Sequence, residues 1–145
     1  MGDDMVVKYT SKELDLMARL MRAEALGEGE KGMLMVGNVI VNRALANCNI
    51  FKNITSIYDV VYQKPGGFSG IDATLFQSSP TSLEKRLAKR CLNGERFYPA
   101  THALWFYAPS KNKSCKKNFY SQPLSGKYKS HCFYKPEDGT CKELY

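Results

Sequence analysis

Residues 18–30 read Ala18-Arg19-Leu20-Met21-Arg22-Ala23-Glu24-Ala25-Leu26-Gly27-Glu28-Gly29-Glu30. The stretch decides the fold because it holds the end of an amphipathic helix, its stop signal and an acid on the apolar side of that helix. Upstream, Thr10-Ser11-Lys12-Glu13 forms a capping box: Thr10 accepts from the first turn and Glu13 reaches back to the cap. Leu14, Met17, Ala18, Met21 and Ala25 follow at three- and four-residue spacing and build one apolar stripe. Gly27 and Gly29 end the helix. At about 100° per residue from Leu14, Leu20 falls at about 240°, Glu24 at about 280°, Met17 at about 300° and Met21 at about 340°. Glu24 thus lies inside the apolar arc, away from the charged side that carries Asp15, Arg19 and Arg22. A carboxylate there loses hydration, so its neutral form is favoured and its pKa rises. That is the state a general acid needs to protonate a glycosidic oxygen near neutral pH. The alternative is a boundary glutamate paired with Arg19 or Arg22, or capping a neighbouring segment. Glu28, one turn on, is the second candidate acid. Glycosidases commonly use two carboxylates, about 5 Å apart in retaining enzymes, and Gly27 interrupts the helix that would hold the pair so.

Working outward, residues 31–46 are almost wholly apolar, yet shorter than the roughly 20 residues that span a bilayer, and predict a central buried helix. Gly32 and Gly37 would let another helix approach closely, and Asn38 and Asn42 need hydrogen-bond partners if buried. A short helix is expected over 56–62, then a loop at Pro65-Gly66-Gly67 before Phe68. Thr81-Ser82-Leu83-Glu84 is a second capping box, opening a helix with Leu83, Leu87, Ala88 and Cys91 inward and Gly94 as its stop. Ala103-Leu104-Trp105-Phe106-Tyr107 and His131-Cys132-Phe133-Tyr134 are β-type runs closed by Pro109 and Pro136. Between them lies a basic, polar stretch of about two dozen residues, expected as a loop long enough to be functional. The class is α+β: helices in the N-terminal half and a small antiparallel sheet in the C-terminal half. On a strand Trp105 and Tyr107 share one face and Phe106 takes the other, so one face is core and the other a platform for sugar rings or bases. His131, ending a strand among aromatics, would orient substrate or stabilise developing charge, or be a structural histidine.

The 145 residues suit a single domain, 1–145, and 21 Lys+Arg against 14 Asp+Glu give +7. A hydrophobic fraction of 43% and 12% aromatics belong to a packed globule, not a disordered tail. No transmembrane segment is expected, and the opening MGDDMVVKYTSKE has neither the basic nor the apolar region of a secretion signal. A pI near 9.2 suits an anionic partner: nucleic acid, anionic lipid or carboxylate-rich cell-wall polymer. The five cysteines, at 48, 91, 115, 132 and 141, show no C-x-x-C spacing, so reduced, mostly buried thiols are expected. The alternatives are a disulfide among Cys115, Cys132 and Cys141, or cross-links within an oxidised assembly. Two histidines without neighbouring ligands predict no metal site. There is no G-x-S-x-G elbow, P-loop, H-E-x-x-H or EF-hand loop.

The 18–30 stretch resembles the (G/A)-E-A-x-G-E signature of the SleB/CwlJ family of cell-wall hydrolases. Gly37-Asn38-Val39-Ile40-Val41-Asn42-Arg43 resembles that family's next helix, and Pro65-Gly66-Gly67-Phe68 its P-G-x-F loop. Ala103-Leu104-Trp105-Phe106-Tyr107 resembles its A-L-x-F strand and His131-Cys132-Phe133-Tyr134 its H-x-F-Y close. The motifs come in the family's order over residues 14–134, with Ala23 where many members carry glycine and Trp105 where others carry tyrosine. The resemblance is to the family's single-domain CwlJ type; the SleB type adds a secretion signal and a peptidoglycan-binding module. It implies a lysozyme-like α+β domain with Glu24 as the catalytic glutamate, and leaves Phe68, Trp105, Tyr107, His131 and Tyr134 as candidate substrate contacts. The implied protein is a spore cortex-lytic enzyme, made in the mother-cell cytoplasm, deposited in the spore coat at the cortex surface and acting at germination. The implied reaction is lytic transglycosylation of cortex peptidoglycan rich in muramic-δ-lactam, for which one carboxyl group suffices and no cofactor is required. Activation by calcium dipicolinate and a coat partner of the GerQ type are further implications; a nucleic-acid partner is not. Rival expectations are hydrolysis of the same strand by a muramidase or glucosaminidase, a non-catalytic glycan-binding coat protein, and a metal-dependent amidase for which no ligand set is present.

Overall fold

The computed structural model describes residues 5–144. Residues 1–4, part of the stretch read for a secretion signal, lie outside them. Four helices come first: α1 (Ser11–Ala25), α2 (Gly29–Ala46), α3 (Ile57–Val61) and α4 (Ser82–Leu92). Strands β1 (Trp105–Tyr107), β2 (Asn118–Phe119), β3 (Gln122–Tyr128) and β4 (His131–Tyr134) follow, in an antiparallel sheet of order β1-β4-β3-β2. The class is the expected α+β. Among the described residues no helix is long and apolar enough to cross a membrane.

Both capping boxes close reciprocally. Thr10 Oγ1 accepts from the Glu13 amide at 3.1 Å while Glu13 Oε1 accepts from the Thr10 amide at 2.9 Å, and Thr81 and Glu84 repeat the pattern. At the far end of α1, a 3-10 turn at Leu26–Glu28 and Gly29, with φ 82°, redirect the chain into α2. α2 is buried along most of its length, as its unbroken apolar run requires. A Cβ at Gly37 would stand 2.6 Å from Cys91 Sγ on α4 and 2.9 Å from Met21 Cε on α1, so three helices meet where no side chain fits. Asn38 donates to Glu95 O and accepts from the Phe97 amide, both at 2.8 Å; Asn42 donates to Ala103 O at 3.0 Å. These two side chains bind the 95–104 crossover to α2, and thereby fix where the sheet begins.

Three expectations are corrected. The polar stretch before His131 is no loop: it contains β2 and β3. Pro123, Ser125 and Gly126 read as loop residues, but they sit in β3, which pairs with β2 on one side and β4 on the other, with an irregular register between Leu124 and Gly126. Arg22, assigned to the charged side of α1, is buried. Its guanidinium donates to Leu75 O at 2.8 Å, Ser78 O at 2.7 Å and Ser79 O at 3.1 Å, and pairs with Glu84 at 3.3 Å. Four of the cysteines are oxidised: Cys48–Cys141 and Cys115–Cys132 are disulfides with Cα–Cα distances of 5.4 and 5.7 Å. A second, smaller core of Phe51, Leu104, Trp105 and Tyr134 draws these chain segments together, a proximity that sequence spacing does not contain. Cys91 stays a buried thiol, its pKa pushed up to about 12 by burial.

Candidate active site

A cleft of about 450 Å³ opens where the end of α1, the 67–69 loop and the β1–β4 edge of the sheet meet. Glu24 stands in it, one turn beyond Leu20 and Met21, which are fully buried in the helical core. Helical phase thus carries the acid on the apolar side of α1 to the point where the core ends. Its Oε2 accepts a 2.6 Å hydrogen bond from the Gly70 amide. A Cβ on Gly70 would lie 2.6 Å from that oxygen, so only glycine lets the backbone come this close. Burial raises the Glu24 pKa above the ordinary carboxylate value; the Gly70 hydrogen bond and the Arg43 charge oppose it. The alternative of a glutamate paired with Arg19 or Arg22 does not hold. Arg19 pairs with Asp15, and Arg22 with Glu84. Arg22 instead ties the 75–79 backbone onto α1, which steadies the segment that presents Gly70.

Arg43 backs the cleft. Its Nε donates to Leu104 O and its Nη1 to Gly66 O, both at 2.8 Å, and the guanidinium lies 4.4 Å from the Phe68 ring centroid. Burial pulls its pKa down to about 10, which leaves it charged at neutral pH. Sequence reasoning overlooked Arg43 as a site residue. The signal was a lone arginine ending an otherwise apolar helix, a residue that burial tolerates only with partners.

The opposite wall is aromatic. Phe106 faces inward, 6.0 Å from Phe68 and 5.0 Å from the His131 ring. His131 is 7% exposed; burial holds its pKa below the usual histidine value, with the Glu28 charge opposing. Glu28 itself does not line the cleft. Its Oε1 accepts from the Ser130 amide at 2.8 Å and lies 3.9 Å from His131 Nδ1, while its carbonyl accepts from Lys129 Nζ at 3.1 Å. It braces the turn between β3 and β4 against the end of α1.

Of the expected site residues the cleft gathers Glu24, Phe68, Tyr107 and His131, and it excludes three. Glu28 stands behind His131. Trp105, 4% exposed, packs between Phe51 and Tyr120 in the smaller core, with ring centroids 5.6 and 6.2 Å away. Tyr134 is fully buried and donates its hydroxyl to Lys116 O at 2.7 Å. Trp105 turns into the smaller core, while Phe106 on the opposite face and Tyr107 at the end of the strand both line the cleft; the β-run showed the alternation but not which face was which.

Helices followed by a small sheet, with an acid in the cleft where they meet, make this a lysozyme-like α+β domain. The catalytic domain of the Bacillus cereus SleB protein superposes with a TM-score of 0.69 at 23% identity, covering 92% of this chain and 97% of that one. The catalytic domain of the germination-specific lytic transglycosylase SleB from Bacillus anthracis gives 0.68 at 23% identity, over 88% and 97%. The sequence profile of the Cell Wall Hydrolase family matches residues 27–134, and the chain belongs to that family of cell-wall-degrading enzymes. The cell wall hydrolase CwlJ of Halalkalibacterium halodurans is 46% identical over 140 residues, 97% of this chain and 96% of that protein. The CwlJ protein of Bacillus subtilis matches at the same identity and coverage.

Proposed function

We propose that this chain cleaves the glycan strand of spore cortex peptidoglycan by lytic transglycosylation, with Glu24 as both acid and base. The observation that carries the reading is the environment of Glu24: it is the single carboxylate among the described residues lining the cleft, and burial raises its pKa, which favours the protonated form. In the first step the Glu24 carboxyl transfers its proton to the glycosidic oxygen as the C1–O bond breaks. Gly70 holds one carboxyl oxygen, which leaves the other to carry the proton in this step. Arg43 and the Gly70 amide favour the carboxylate so formed. The carboxylate then takes the proton of the muramic 6-hydroxyl while that oxygen closes on C1, giving a 1,6-anhydro end and regenerating the acid. No water enters, so no second carboxylate is needed to activate one. Phe68, Phe106 and Tyr107 offer surfaces for the sugar rings, and His131 stands where a neutral imidazole can hydrogen-bond a ring hydroxyl.

The relatives named as cell wall hydrolases support a cell-wall polymer as the substrate, and a protein of the same fold is named as a germination-specific lytic transglycosylase. The test is mass spectrometry of muropeptides released from decoated spore cortex by the native chain and by Glu24→Gln. Anhydro-muramic ends from the native protein alone are expected. New reducing ends would replace transglycosylation by hydrolysis, equal products from both proteins would remove Glu24 from the chemistry, and no product at all would leave a glycan-binding protein.

A further inference from the structure

Three cavities run together along one edge of the sheet. The cleft shares Tyr107 and Ala108 with a second cavity of about 410 Å³, which shares Pro109, Ser110 and Lys113 with a third of about 190 Å³. The third is walled by Lys111, Lys113, Lys127 and Lys129, and no carboxylate lines either it or the second, to which Lys116 adds a fifth ammonium. These lysines are exposed and their repulsion is screened by water, but together they hold a positive potential that an anion on the same face would complete. Among the described residues Lys111, Lys113 and Lys127 form no ion pair. Glu28, the carboxylate that approaches this end of the sheet, is turned to the Ser130 amide and His131. Lys129 occupies a turn position at φ 48°, where glycine or asparagine is the ordinary choice, and lines the cavity while its ammonium donates to Glu28 O at 3.1 Å. Ser130, also on that edge, directly precedes His131 of the cleft.

We infer that the lysine-walled cavity is a subsite for the carboxylates of peptide stems borne by the glycan strand whose sugars lie in the Glu24 cleft. The inference rests on the peptidoglycan reading above and extends it to what surrounds the scissile bond. Continuity with the cleft favours an anion on the same polymer over a separate anionic macromolecule. The subsite selects strands that keep peptides near the cut, and it gives an anionic partner to five of the 21 basic residues of the chain.

The test measures binding, not turnover, in the full-length Glu24→Gln chain. Two insoluble polymers serve as probes: peptidoglycan with its stems, and the same material stripped of stems by an amidase. Cosedimentation should show tighter binding to the stem-bearing polymer. Lys113→Gln/Lys127→Gln should lose about three- to tenfold there, the worth of two exposed ion pairs, and nothing on the stripped polymer. Lys113→Arg/Lys127→Arg should keep the preference. Equal binding of the parent to both polymers, or an equal loss on both, overturns the subsite and leaves the Glu24 reading intact. A larger loss on duplex DNA than on either polymer also overturns it, in favour of a nucleic-acid surface. No binding to either polymer overturns the subsite and the substrate reading together.

Discussion

Replacing Gly70 by alanine places a methyl carbon 2.6 Å from Glu24 Oε2 and 3.1 Å from its carboxyl carbon. Gly70 is not among the positive-φ glycines, so the backbone accepts alanine and the clash falls on the carboxylate. Glu24 is the free end of a flexible side chain, so it swings away and the 2.6 Å hydrogen bond from the Gly70 amide is lost. A hydrogen bond to a charged group is worth about 1.5–3 kcal/mol, and a factor of ten in rate is about 1.4 kcal/mol. Gly70→Ala should therefore slow strand cleavage about ten- to hundredfold. The pH profile moves in a defined direction. The amide stabilises the carboxylate, so its loss raises the Glu24 pKa further, and the limb where rate falls as the acid deprotonates shifts to higher pH. Rates of muropeptide release across pH 5–9, with a melting curve for each protein, make the measurement. A full rate with an unmoved limb, or a limb displaced to lower pH, refutes the geometry assigned to Glu24. A melting point that collapses with the rate refutes the claim that the clash is local.

Burial raises the Glu24 pKa above its unfolded value, so its stabilising contribution is complete below the unfolded pKa and is lost as pH rises through the folded one. Glu24→Gln, which cannot ionise, should melt above the parent at pH 8 but not at pH 4; a gain confined to pH 4 refutes the burial argument. Glu28→Gln keeps an acceptor for the Ser130 amide, so its cleavage rate should stay within about threefold of the parent, against a loss of about 10²–10⁴ for Glu24→Gln. It should also lower the His131 pKa in an NMR titration, because the Glu28 charge raises it. An equal loss in both variants would give Glu28 a chemical role. The disulfides span 93 and 17 residues, and on chain entropy removing the first should cost about 4.6 kcal/mol and the second about 3.1. Calorimetry of Cys48→Ser/Cys141→Ser and Cys115→Ser/Cys132→Ser checks that order, and the reverse order refutes an entropic origin.

What the sequence disclosed was local. Both capping boxes, the glycine stop after α1 and the phase of Glu24 within the apolar stripe depend on residues within a few turns of one another, and all appear as read. Asn38 and Asn42 announced that something would bond them, though not that it would be the 95–104 crossover. The failures share one cause, contact between distant segments. Arg22 belongs to the charged side of an isolated α1, and only the carbonyls of Leu75, Ser78 and Ser79 make that side an interior. Periodicity gives the two faces of β1, but choosing between Trp105 and Phe106 needs to know where the smaller core lies. The disulfides depend on that same core. Arg43 is the instructive middle case: its isolation among apolar residues was visible, and its nearness to Glu24 was not.

On the proposed transglycosylase reading, the opposing influences on Glu24 suit one residue that does two jobs. A dedicated general acid gains from burial alone, since a deeper site keeps its proton on more firmly. A dedicated base gains from hydrogen bonds and cations alone. In lytic transglycosylation the group that gives a proton must take one back within the same turnover, so neither state can be favoured far over the other. At Glu24 burial pushes towards the acid while the Gly70 amide and the buried Arg43 guanidinium push towards the carboxylate. All three come from the architecture. The apolar phase of α1 takes the acid to the edge of the helical core, and the Arg22 ties press the 75–79 segment onto α1 beside the turn that offers the Gly70 amide. The last turn of α2 carries the arginine that its neighbours can satisfy. A hydrolase that divides the work between two carboxylates has no use for this balance, and here the second glutamate braces a turn instead of lining the cleft.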